Sequence, residues 1–570
     1  MALDRSEIFA DAGGVAVAVA IAGGGGGSLA GTVGVGNSEN TLNNTAKAFI
    51  DTAVVTAGGA LSILAKADDR PGSGRDFRID ALAVAAAAAV GGSGSGGAGL
   101  AGSGAGAEVT NSINNVIEAF IRGSSSVTAD SFVLEARDDS SIRGDTGGFA
   151  IASAGSTGGG AGGLSVGASQ SINDIGQGNG HRILAYIEDS TAQSAGDIDI
   201  LADFVGDVRA LAMGGSLAGA GSTGLNGAFA GAGAGTQNKV KVTTGALIDS
   251  SSVVAAVSGD VTLSSEDDTK VVADSGGVAV AIAFGSGSSN GLSVGVGVAD
   301  NQIQNTTYSA IHESTVEAVG VIDLDADSDA EIEALSFGGS ASVSADAGNA
   351  NALAAAGGVA KNKLDNVIES RVGDIDLGLT RLQATNGSIT LDAIDRAVVG
   401  SDSGGGSVAL AGSGSGGISL GVAFVEANND IDNKVSSVIE NADILTVDSA
   451  ADIEVKAYSH SRIHSNAVAV TVSGNASPAG FGFAGGGAGA TNDIQNVIVA
   501  HVIDGTQSAA DSVDDLRAGD RIVVLAGDDS SISSDVGAGA LSFGAGGASI
   551  GVSLNSNTVD NAVSAYRCTG

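Results

Sequence analysis

Apolar and polar residues alternate with a period of two along most of the chain, which predicts β-strands that each bury one face. Between Gly276 and Ala299 the alternation sets large residues against very small ones. Val278, Val280, Ile282 and Phe284 point one way, and Ala279, Ala281 and Ala283 the other. Past a Gly/Ser turn, Leu292, Val294, Val296 and Val298 alternate with Ser293, Gly295, Gly297 and Ala299. The stretch carries no charge, so both faces of this strand pair are expected to be buried. The same device stands near the start, where Val15, Val17, Val19 and Ile21 interleave with Ala16, Ala18, Ala20 and Ala22. Faces of Gly, Ala and Ser let sheets approach more closely than the usual ~10 Å.

Two other patterns return with this one in fixed order. A glycine turn opens a short alternating strand at Gly196-Asp197-Ile198, Gly259-Asp260-Val261, Asn386-Gly387-Ser388-Ile389 and Gly519-Asp520-Arg521-Ile522. An Asn-x-aliphatic-x-Asn motif occurs at Asn111 and Asn115, Asn301 and Asn305, Asn362 and Asn366, Asn429 and Asn433, Asn492 and Asn496, and Asn557 and Asn561. Weaker copies start at Asn40, Asn173 and Asn238. Marks placed on the strand after each motif fall at 50, 121, 187, 248, 311, 372, 439, 502 and 567, about 65 residues apart. The expected fold is therefore all-β, a β-solenoid (parallel β-helix-like) formed by residues 1–570 as one continuous tandem array, with partial repeats at both ends. Equivalent asparagines would stack as side-chain amide ladders. Sixty-five residues have a contour of roughly 215 Å, too long for one round coil without a void. Each repeat must make two or three coils or one flattened coil with internal layers.

Composition narrows the picture. Among 570 residues there are 92 glycines, 2 prolines and no tryptophan, so the interior must be thin and lined by Val, Ile, Leu and Ala. A hydrophobic fraction of 43% with positive mean hydropathy excludes a solvated linker. The net charge of -39 excludes a nucleic-acid partner, which needs a basic footprint. The single cysteine, Cys568, makes no intramolecular disulfide, and no cleavable signal follows Met1. Residues 81–107 are uncharged and long enough to cross a bilayer, but they are rich in Gly and Ser and recur once per repeat. No membrane span is expected.

The order of these motifs, with Gly-Asp-Ile-x-Ile turns and Ala/Gly/Val-rich segments ahead of Asn-x-Ile-x-Asn, resembles the repeat regions of large bacterial filamentous adhesins, the filamentous haemagglutinins and leukotoxin-type filamentous adhesins. The resemblance spans the whole chain. It implies a secreted right-handed parallel β-helix or related solenoid used as a stalk or fibre on the cell surface.

No motif for catalysis or a cofactor is found, and the chain is expected not to be an enzyme. His460 and His464 would lie about 13 Å apart on a strand, too far for one ion. Asp323, Asp325, Asp327 and Asp329 share one strand face and are the candidates for a cation, calcium above all; a solvated acidic face is the plainer reading. The expected function is a stiff extracellular fibre or adhesin stalk whose copies stack head to tail, with cell-surface or matrix ligands. The alternative is a repetitive binding surface, such as a calcium-dependent adhesin or a polysaccharide- or ice-binding face.

Overall fold

The computed structural model describes residues 1–68, 77–177, 180–255, 259–374, 378–503 and 516–568. Every regular element among them is a β-strand, and the strands form three parallel sheets. One repeat makes one flattened coil. In a typical coil the strand Ile198–Ser222 runs the full height of the first sheet. The chain then turns at Thr223-Gly224, descends the second sheet as Leu225–Val240 and Val242–Asp249, and crosses the short third sheet as Ser252–Ala255 before Val261–Gly285 starts the next coil. A residue with positive φ makes the corner into the third sheet: Asp189, Ser250, Glu313 and Asn441 have φ of 47°, 48°, 45° and 51°.

Nine such coils stack among the described residues. Ile50, Ile121, Ile187, Ile248, Ile311, Val372, Ile439, Val502 and Arg567, the positions marked from sequence, pair in one row from coil to coil. The 25 residues of a first-sheet strand span about 80 Å, whereas nine coils advance only about 40 Å along the stacking axis. The flattened coil thus avoids a void by closing its upper half on itself.

The coil has two regions with different interiors. In the body, the three sheets enclose aliphatic side chains, among them Ile198, Leu263 and Ile322 from the first, Ile183, Ile248 and Ile311 from the second, and Val253, Val316 and Leu382 from the third. Above it the first and second sheets meet directly as a two-layer fin. Its interior is alanine, including Ala218, Ala230, Ala281 and Ala283, with glycine and serine. Here glycine is a requirement of close approach: a Cβ on Gly148, Gly214, Gly277 or Gly338 would fall 2.0 to 2.2 Å from a backbone oxygen of the facing sheet.

The expectation that both faces of the large-and-small strands are buried is overturned. Only the small face is buried; the large face points outward, with Val278 47% and Phe284 50% exposed. A turn folds each strand pair onto its own small faces, and no third layer covers the outside.

Seen on the outer side of the second sheet, large and small residues also alternate from coil to coil. One row reads Val33, Gly104, Val166, Gly231, Val294, Ala355, Val422, Gly485, Ile550. The row one step nearer the body reads Val35, Gly106, Ala168, Gly233, Val296, Gly357, Phe424, Gly487, Val552, the same alternation except for Ala168 in the third coil. Along these two rows the face is corrugated, with ridges on odd coils, Ala168 excepted, and troughs on even ones. The row one step nearer the tip, Leu164, Phe229, Leu292, Leu353, Leu420 and Phe483, is instead large on every coil from the third to the eighth.

Candidate functional site

The asparagine motif stands where fin and body join. Its first asparagine points inward, and its carboxamide N–H donates to the oxygen of the equivalent residue one coil on. Asn40 donates to Asn111, Asn111 to Asn173 and Asn173 to Asn238 at 2.9 Å each; the chain continues through Asn301, Asn362, Asn429 and Asn492 to Asn557 at 2.7 to 2.9 Å. Period-two alternation places these buried amides in one row, where each supplies its neighbour with the partner that water cannot. Aligned amides polarise one another, so the row is stronger than isolated pairs.

The second asparagine marks a bend in the second sheet. There the strand ladder is interrupted, between Ile303 and Thr306 for example, and the side-chain oxygen replaces the missing acceptor. Val242 N–H donates to Asn305, Asn305 N–H to Asn366, Asn366 N–H to Asn433, Asn433 N–H to Asn496 and Asn496 N–H to Asn561, at 2.7 to 3.0 Å. In coils three and four the position is occupied by His181 and Val242; His181 Nδ1 accepts the Asn115 N–H at 3.2 Å.

Across the interior, these asparagines reach a row of carboxylates that sequence reasoning missed. Asn305 donates to Asp267 at 2.9 Å, Asn433 to Asp395 at 3.0 Å, Asn115 to Asp138 at 3.0 Å and Asn561 to Asp528 at 2.8 Å. In register the row reads Asp4, Ala67, Asp138, Phe204, Asp267, Ser328, Asp395, Ser459, Asp528. Acids occupy alternate coils, about 9.6 Å apart rather than ~4.8 Å, which limits repulsion in a dry interior. Burial pushes the carboxyls of Asp267 and Asp395 up to about 6. For Asp138 burial is also the largest influence, but His181, the guanidinium of the fully buried Arg78 and Asn115 outweigh it and hold the carboxyl below its ordinary range. Strand parity was the available signal: Asp267 is in phase with the inward Val261, Leu263 and Val271.

Asp323, Asp325, Asp327 and Asp329 do share the outer face of the strand Ile322–Asp346. Asp323 accepts the Thr390 hydroxyl and Asp327 pairs with Arg396 at 2.5 Å. Asp325 is directly opposite Asp392; burial, then the charges of Asp323 and Asp392, push it up to about 7. No group of three or more His, Cys, Asp or Glu among the described residues is arranged to hold a metal ion. His460 stacks on Tyr458 and His464 faces Asn466. Among the described residues no helix is long and apolar enough to cross a membrane.

No family model, curated protein or solved structure matches the chain.

Proposed function

We propose that the chain is a non-catalytic structural module of a secreted cell-surface fibre or adhesin. The observation that carries this reading is the pairing that runs from coil to coil: the first and second parallel sheets and the first asparagine row link all nine coils among the described residues, and the third sheet links eight. Such an array resists deformation because each coil is hydrogen-bonded to its neighbours over nearly its whole contour. The same parallel stacking can be continued by further coils or copies placed end to end. Because a coil of about 65 residues advances only ~4.8 Å, the module provides breadth more than reach. A fibre built this way exposes a wide wall on which binding can be distributed, and the acidic body keeps that wall hydrated.

The test is made on intact cells that express the protein. Antibodies against the body should label unpermeabilised cells, and externally added protease should remove the label. Labelling that requires permeabilisation, or turnover of a substrate by the purified chain, would overturn the reading.

A further inference from the structure

The outer face of the second sheet's fin strands is apolar and uncovered. No residue is charged from Gly147 to Asn173, from Ala210 to Asn238 or from Ser275 to Ala299, although the chain as a whole carries -39. About 11 residues of each strand across nine coils give a face of roughly 36 by 40 Å, near 1,400 Å². A stable dimer needs about 800 Å² from each partner, and apolar patches on monomers are usually a few hundred Å².

The troughs supply a second argument. A glycine in a strand costs chain entropy and packs against nothing, so it marks a place where another group comes close. Gly277, inside the fin, is required by the chain itself, since a Cβ there would fall 2.2 Å from the Val296 oxygen. Gly106 and Gly233, on the outer face, are not: a Cβ on either would meet nothing within 4 Å. The trough floored by Gly485, Gly487 and Gly489 and walled by Phe424 and Val552 encloses about 790 Å³. An occupant of successive troughs must present apolar ridges about 9.6 Å apart, two coil spacings. Two adjacent rows of the face itself, those of Val166 and Val296, present that repeat.

We infer that two copies of this chain pair through the second-sheet face of the fin, displaced by one coil so that, along the two alternating rows, the ridges of each lie in the troughs of the other. Charge sets the orientation. Glu39, Glu108, Asp300 and Glu426 stand on this face just below the fin together with Lys361, a flank of net negative charge, whereas turns such as residues 157–160 at its tip are uncharged. Fins that overlap from opposite directions therefore lay an uncharged tip beside an acidic flank and hold the two acidic bodies apart. The pairing is lateral and goes beyond the scaffold reading: it does not require stacking along the axis.

Sedimentation velocity of the full chain over a concentration series tests the inference. A dimer is expected, and the double variant Gly106→Leu/Gly233→Leu should raise its Kd at least about 100-fold without lowering the unfolding midpoint, because the trough floors have room for a side chain. Gly276→Leu, open to solvent on the other sheet's face, should leave the dimer intact. A chain that stays monomeric at every concentration, or a dimer indifferent to the trough leucines, overturns the inference. So does a monomer that binds neutral phosphatidylcholine vesicles, with the leucine variant binding more tightly, since lipid chains would welcome the added apolar surface.

Discussion

Gly276 and Gly277 are adjacent in the chain and opposite in circumstance, which makes them the sharpest test of how the fin is held together. An alanine at 277 would place its Cβ 2.2 Å from the Val296 oxygen, 2.8 Å from its nitrogen and 2.9 Å from its carbonyl carbon. Ordinary contacts begin near 3.4 Å, so the sheets would have to part locally by roughly an ångström. Neither strand can yield alone. Gly277 is paired with Gly214 and Gly338, and Val296 with Gly233 and Gly357. Overpacking of this kind costs about 1–3 kcal/mol, and a gap of ~1 Å forfeits a quarter to a half of the dispersion energy of the alanines around it. Loss of glycine's freedom in the unfolded chain offsets only about 0.4–1 kcal/mol. Gly277→Ala should therefore destabilise by about 2 kcal/mol. Gly276→Ala meets nothing within 4 Å and should stabilise by about 0.4–1 kcal/mol. Because an array of coils can open locally, hydrogen exchange of the strands Val261–Gly285 and Ser288–Ile303 should accompany denaturant melts. Equal effects at the two positions, or a milder effect at 277, would refute close backbone packing as the basis of the fin.

Other perturbations address the polar interior and the corners. Asn301→Leu leaves the Asn238 donor and the Asn362 acceptor without partners, at about 1–3 kcal/mol each, and should lower exchange protection in the adjoining coils more than in distant ones. Asp267 and Asp395 have folded-state values near 6 against an ordinary 3.8, so the folded chain binds more protons between those values and stability falls as pH rises through that window, by about 3 kcal/mol per group. The fall should be complete above pH 6, and Asp267→Asn should remove its share in melts recorded from pH 4 to 7. Asp138, held low by His181 and Arg78, acts in the opposite sense: its contribution is present above the ordinary carboxylate range and is lost on acidification below it. Ser250 holds φ of 48°, so Ser250→Gly should stabilise by about 1 kcal/mol, a gain visible in the unfolding midpoint.

The all-β class, the repeat length and the inward asparagines were legible because each depends only on alternation and spacing. A residue that recurs about every 65 positions in phase with buried Ile and Val must stack, as Asn111, Asn301 and Asn429 do. The outward exposure of Val278 and Phe284 was not legible. An uncharged strand with a large face is equally consistent with a three-layer stack, and only the position of the turn after Gly285 decides that the small faces close on each other. The buried acids were readable from strand parity, but Asp267 and Asp395 lie in stretches that otherwise look solvated. Marks common to every repeat also average away whatever distinguishes odd coils from even ones.

That distinction bears on how such an array can change length. Excising a single coil, from Ile322 to Ser388, would bring Asp267 directly beside Asp395, about 4.8 Å apart in the dry interior, and set the Val294 ridge against the Val422 ridge. Removing two coils restores both alternations. Gain or loss of coils should therefore be better tolerated in pairs than singly, because the structural period of the array is twice the repeat that the eye first finds.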